Sequence, residues 1–165
     1  MTDEMRAILG RPYDTSVSFP IDKSDIRRWA IAVYYPERPP AEYIAGEVAP
    51  EEFNPFAWMP AERKGPGPDV TPIEVGREYH LAGATEQILG VQPPPLTHGL
   101  NGGIEIIYGD ADMRAGDVIT STVSISEYSE REGRLGLMLF TTYDHVWTNQ
   151  RGEHVKTQRL TYIRY

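Results

Sequence analysis

From residue 118 onward the chain alternates apolar and polar side chains with a period of two, the spacing of a half-buried strand. In residues 118–130 (VITSTVSISEYSE), Ile119, Val123 and Ile125 share one face. Thr120, Thr122 and Ser124 occupy the other, so one side of this strand is expected to be wet. Arg131, Glu132 and Gly133 make a turn into a strand at 135–148 that is apolar on both faces, as suits a central strand or one covered by a partner. A second turn at 149–152 leads to a closing strand at 155–165, and residues 103–109 (GIEIIYG) add another strand upstream. The pattern predicts a meander of long antiparallel strands, joined by short turns. Such strands need a helix or a second sheet over their apolar faces, which makes the class α+β.

The first half reads differently. A short helix is expected at 6–9 and a strand at 13–21, where Val17 and Phe19 alternate with Ser16 and Ser18. Asp22, followed by Asp25, has the chemistry of a helix N-cap, and Ile26, Trp29, Ala30 and Val33 then repeat at helical spacing. That helix must stop before Pro36. Between 36 and 72 stand nine of the fourteen prolines, which forbid any long regular element there. Yet Tyr43, Ile44, Phe53, Phe56, Trp58 and Met59 are too much apolar surface to leave in water, so residues 48–59 are expected to fold onto something. Residues 61–69 (AERKGPGPD) read as a mobile loop and 75–88 as a weak strand.

Composition narrows the chemistry. One core suits 165 residues, so a single domain over 1–165 is expected. A net charge of -8 argues against binding a phosphate backbone, hence no nucleic-acid partner. With no cysteine there is no disulfide, thiolate metal site or cysteine nucleophile, which fits a reducing interior, and the cytoplasm is the expected location. The opening MTDEMRAILGRPY is acidic where an export signal is basic, and no apolar run is long enough for a membrane span. No Walker loop, dinucleotide fingerprint or metal-ligand spacing occurs, so no metal is expected.

The stretch from Leu100 to the end carries Gly102-Gly103, Ala115-Gly116-Asp117, Glu132-Gly133, a turn at 149–152 and a Thr-rich closing strand at 157–164. In this it resembles MaoC-like dehydratase domains of the N-terminal type; Gly10-Arg11-Pro12 and the helix at 25–35 match more loosely. The resemblance implies a hot-dog fold, a long helix wrapped by a curved antiparallel sheet, paired with a second such unit around a shared acyl-thioester site. Active members of that family carry a motif resembling Asp-x-Asn-Pro-x-His after the first helix. Hydrating an enoyl thioester needs a base for the water proton, an acid for the α-carbon and donors for the carbonyl oxygen. Here the matching segment is Tyr34-Tyr35-Pro36-Glu37-Arg38-Pro39-Pro40, with neither Asp nor His. The histidines are His80, His98, His145 and His154, all later in the chain.

The resemblance thus implies a non-catalytic, substrate-binding subunit of a heteromeric 2-enoyl-CoA hydratase. Its partner would be a hot-dog subunit with the Asp/His dyad, and its ligand an acyl-CoA with a bulky lipid or steroid-type chain. Coenzyme A would enter as part of the substrate and no other cofactor is expected; a hetero-oligomer or a homodimer is. Phe53, Asn54, Phe56 and Trp58 read as tunnel lining or as ordinary core, and Tyr34 and Tyr35 as pocket floor or helix-end anchors. His98, with Asn101, Gly102 and Gly103, reads as a thioester-facing loop or as a plain surface turn; His98 is the fallback catalyst. Arg63, Lys64 and Arg77 are candidates for the coenzyme A phosphates, while Asp117 reads as a turn residue. Two other readings remain open: a self-sufficient hydratase or thioesterase with displaced acids and bases, and an acyl-CoA-binding regulatory module.

Overall fold

The computed structural model describes residues 1–57, 60–64, 84–134 and 136–165. Four short or moderate helices are described: α1 (Asp3–Ala7), α2 (Lys23–Tyr34), α3 (Ala41–Ala45) and α4 (Ala84–Ile88). The strands are β1 (Pro12–Val17), β2 (Glu62–Lys64), β3 (Gly99–Tyr108), β4 (Thr120–Gly133), β5 (Gly136–Thr148) and β6 (His154–Arg164). They form one antiparallel sheet in the order β2-β1-β4-β5-β6-β3. The α+β expectation and the β4-β5-β6 meander hold, and β5, apolar on both faces, lies at the centre as its pattern requires.

Bulges at Ser126 in β4 and at Val155 in β6 shift the register, the device by which long strands bend. The inner face carries two apolar clusters. Ile21, Ile26, Ala49, Phe53, Met113, Ile119, Trp147 and Val155 form the first, where α2 and the proline-rich segment cover the sheet. Met5, Ile8, Leu89, Val91, Ile125, Tyr128 and Leu139 form the second, beneath α1 and α4. Tyr128 is buried because its ring reaches the second cluster and its hydroxyl donates to Glu86.

Asp22 caps α2 by accepting from Ser24 N at 2.7 Å, and the helix ends at Tyr34, ahead of a cis Tyr35-Pro36 bond. Ile26 and Ala30 are buried as their spacing predicts, but Val33, on the last turn, is exposed. The expected loop at 61–69 is corrected at Glu62–Lys64: this piece is an edge strand held to β1 by Arg63, whose guanidinium forks onto the Asp14 carboxylate at 2.7–3.2 Å. The weak strand expected at 75–88 is corrected at Ala84–Ile88, which is helix; residues 75–83 lie outside the described residues. Helix brings Glu86 inward to a fully buried Arg164, a long-range contact that overrides the local pattern. β3 starts earlier than expected, at Gly99, because the glycines that read as a turn are absorbed into a bulge between Asn101 and Gly103.

Candidate functional site

A cavity of about 360 Å³ opens between the N-terminal half of α2 and the segment after Phe53. Phe19, Pro20 and Ile21 form one wall as the chain leaves β1; Trp29 and Ala32 form the second; Phe53, Asn54 and Pro55 form the third. The third wall is built locally. Asn54 Oδ1 accepts from Phe56 N at 2.9 Å, closing a side-chain turn that proline at 55 allows, and Ala57 N donates to Asn54 O. Edge-on aromatic contacts fix it in place, Trp29 to Phe53 at 5.6 Å and Phe56 to Trp147 at 5.1 Å.

Lys156 holds the same wall from below. Its ammonium is buried, donates to Glu51 O at 2.9 Å and Phe53 O at 3.1 Å, and lies 4.5 Å from the centre of the Trp147 ring. Burial pulls its pKa down to about 8, against Glu52 and Glu51, which favour the charge. Among the described residues the cavity's charged groups are Asp25 and Arg28, one helical turn apart and 3.6 Å from each other at the rim. An apolar hollow with a few polar groups suits an acyl or polycyclic ligand.

Phe53 and Asn54 therefore stand in the cavity, while Phe56 turns away from it into the core beside Trp147. Trp58 and Arg77 lie outside the described residues. Tyr34 rests against Tyr43 at 6.0 Å, a helix-end contact, and Tyr35 is 81% exposed. His98 is elsewhere: its ring stacks on Tyr165 at 5.4 Å, its backbone extends the β3-β6 ladder, and Asn101, Gly102 and Gly103 follow it along β3. Gly102 is required there, since a Cβ would sit 2.9 Å from the Thr161 side chain. The candidate residues thus divide between a cavity beside α2 and the outer edge of the sheet. Within this one chain they do not converge.

Arg63 is committed to Asp14, and Lys64 pairs with Glu62 at 3.1 Å, so both phosphate candidates already face carboxylates. Asp117 is the turn residue it resembles: burial pushes its carboxyl up, but hydrogen bonds from Gln150, Arg114 N and Arg151 outweigh this and hold it below the usual range. Among the described residues no group of three or more His, Asp or Glu is placed to hold a metal, and no helix is long and apolar enough to cross a membrane. Trp29 and Lys156 escaped the sequence reading as site residues. Trp29 carried only a helix-face signal, and Lys156 is one polar residue in an alternating strand.

β3 is exposed along its whole length, with Leu100, Ile104, Ile106, Ile107 and Tyr108 all open, and its outer backbone edge pairs with no described strand. A long apolar edge of this kind is a pairing surface.

No curated protein sequence matches the chain. The fold resembles that of the MaoC-like dehydratase from Rhodospirillum rubrum, at 16% identity over 95% of this chain and 92% of that one, with a TM-score of 0.52. It resembles a chain of the ChsH1-ChsH2 complex from Mycobacterium tuberculosis at 16% identity, covering 99% and 89% of the two chains, with a TM-score of 0.60. A third likeness is to the HadBC (3R-hydroxyacyl-ACP dehydratase) complex of the same organism, at 18% identity over 94% and 96%, with a TM-score of 0.50. The family model described as FAS1-like, dehydratase domain region, matches residues 7–158. With that match spanning most of the sheet, the chain belongs to the FAS1-like dehydratase-region family, and it has the hot-dog fold seen in the MaoC-like dehydratase.

Proposed function

We propose that this hot-dog domain is the substrate-binding subunit of a heteromeric 2-enoyl-CoA hydratase, with water addition performed by a partner that carries the Asp/His dyad. The observation that carries the reading is the α2 cavity: apolar walls of acyl-binding size whose charged groups, among the described residues, are one rim ion pair, Asp25 and Arg28, with no histidine among its described lining residues. An acid and a base positioned over a conjugated C=C are what hydration requires, and the 34–40 segment offers neither Asp nor His.

The exposed edge of β3 supports the assembly half of the reading, because a partner strand laid along it would cover its apolar side chains and satisfy its free backbone groups. ChsH1-ChsH2 and HadBC are themselves complexes of paired chains. In such a pair this chain receives the bulky lipid or steroid-type acyl tail between α2 and Phe53, while the thioester end reaches the partner's dyad. Coenzyme A is part of the substrate and no other cofactor is needed. The cytoplasm is the proposed location, in keeping with a chain free of cysteine.

The test follows the loss of enoyl-thioester absorbance with this chain alone, with a dyad-bearing hot-dog partner alone, and with both. Turnover that appears or rises at least tenfold only in the mixture is the expected result. Turnover by this chain alone, abolished in His98→Ala, would replace the reading with a self-sufficient enzyme.

A further inference from the structure

Pro50, Pro55 and Pro60 punctuate the segment that carries the third wall of the α2 cavity, and positions without an N–H cannot donate to a strand ladder. Backbone bonds tie this segment down at its two ends, where Ala49 N donates to Met113 O at 2.9 Å and Ala61 N to Val17 O at 2.7 Å. Between those points, among the described residues, the hydrogen bonds that join the segment to the rest of the protein are the two from Lys156, to Glu51 O and Phe53 O. Its other bonds are local: Phe53 N donates to Pro50 O, Phe56 N to Asn54 Oδ1 and Ala57 N to Asn54 O. A lysine side chain thus supplies from the sheet the donors that a strand neighbour would otherwise give.

Register places Lys156 on β6 opposite Trp147 on β5 and Tyr108 on β3. The residue is 5% exposed, with Nζ 4.5 Å from the centre of the Trp147 ring. Its two bonds are therefore charge-assisted and shielded from water, where such bonds are stronger than at a surface. The ring contacts at the wall, Trp29 with Phe53 and Phe56 with Trp147, are apolar and tolerate a small slide. Hydrogen bonds are directional, so the pair from Lys156 fixes where Phe53 stands across the cavity from Trp29.

A wall fixed in advance discriminates by shape. A fused-ring acyl tail cannot bend to follow a displaced wall, and it gains most from a site that is already formed. A linear chain has rotamers with which to adapt, so it depends less on where the wall stands. We propose that Lys156 is a positioning residue of the acyl site, one that latches the Glu51 and Phe53 carbonyls to β6 and so favours a rigid polycyclic acyl tail over a linear one. The latch rests on the acyl-binding reading above and deepens it, since it names the shape of tail that is preferred.

The experiment titrates the full chain, alone and with its partner, with cholanoyl-CoA as the fused-ring ligand and octadecanoyl-CoA as the linear one. Wild type is expected to bind cholanoyl-CoA about tenfold more tightly. Lys156→Met, which keeps an apolar stem and removes the donors, should bring that ratio to within about twofold by weakening cholanoyl-CoA while octadecanoyl-CoA affinity holds. Lys156→Gln, whose amide keeps two N–H donors, should restore part of it. A readout that needs no variant is amide hydrogen exchange at Phe56 and Ala57 in wild type, expected to be equally slow with and without cholanoyl-CoA because the wall is preformed. A wild type that binds the two ligands equally, a ratio unchanged in Lys156→Met, or protection of these amides that appears only with ligand overturns the latch and leaves acyl binding intact. Failure of both ligands to bind the chain and its complex overturns the latch and the acyl-binding reading together.

Discussion

Lys156 keeps a buried ammonium under the cavity wall at a folded pKa of about 8, below its ordinary value of 10.5. Between these two values the unfolded chain holds a proton that the native chain has released, so stability rises with pH from about 8 upward. The expected gain is about 2 kcal/mol between pH 8 and 9.5, read from urea unfolding, and Lys156→Met should remove it. Glu86 and Arg164 form a buried charge pair, at 0% and 1% exposure, with Glu86 Oε2 and Arg164 Nε and Nη1 lacking any partner. Breaking it from one side, as in Glu86→Leu or Arg164→Met, should cost about 3–5 kcal/mol in chemical denaturation, because an uncompensated charge stays buried. The double substitution should lie nearer wild type than either single one. Neither role is legible in the sequence, where Lys156 and Arg164 stand in an alternating strand beside the half-exposed Arg159.

The turn that launches β4 rests on Asp117, which accepts from Arg114 N, Gln150 and Arg151 and is 3% exposed. Its carboxyl is held below the ordinary range, so its contribution is present above the unfolded pKa and is lost as pH falls through the folded one. Asp117→Ala should lower stability by about 2 kcal/mol at neutral pH and flatten the acid limb of the pH-stability curve, as measured by thermal unfolding from pH 7 to 3. Elements with strong local signals were legible: the Asp22 cap and the period-two strands need only neighbours within a turn or a pleat. β2 and α4 were not, because Glu62–Lys64 is a strand by virtue of Arg63 meeting Asp14, and Ala84–Ile88 turns Glu86 toward an arginine 78 residues away.

Across the whole molecule, the open edge of β3 bears on assembly more than on folding. Ile104 is 65% exposed, so Ile104→Lys should leave the unfolding midpoint of the isolated chain unchanged while lowering its affinity for a dyad-bearing partner at least tenfold in sedimentation. An unchanged affinity would move the partner surface away from β3. The α+β class, the β4-β5-β6 meander and the central place of β5 were legible from patterning, since which face of a strand is apolar is written at every second residue. The gathering of Phe53 and Asn54 with Trp29 and the latch of Lys156 were not. Those arrangements depend on register and bulges between strands far apart in the chain, and a one-residue shift of β6 would turn Lys156 to the opposite face.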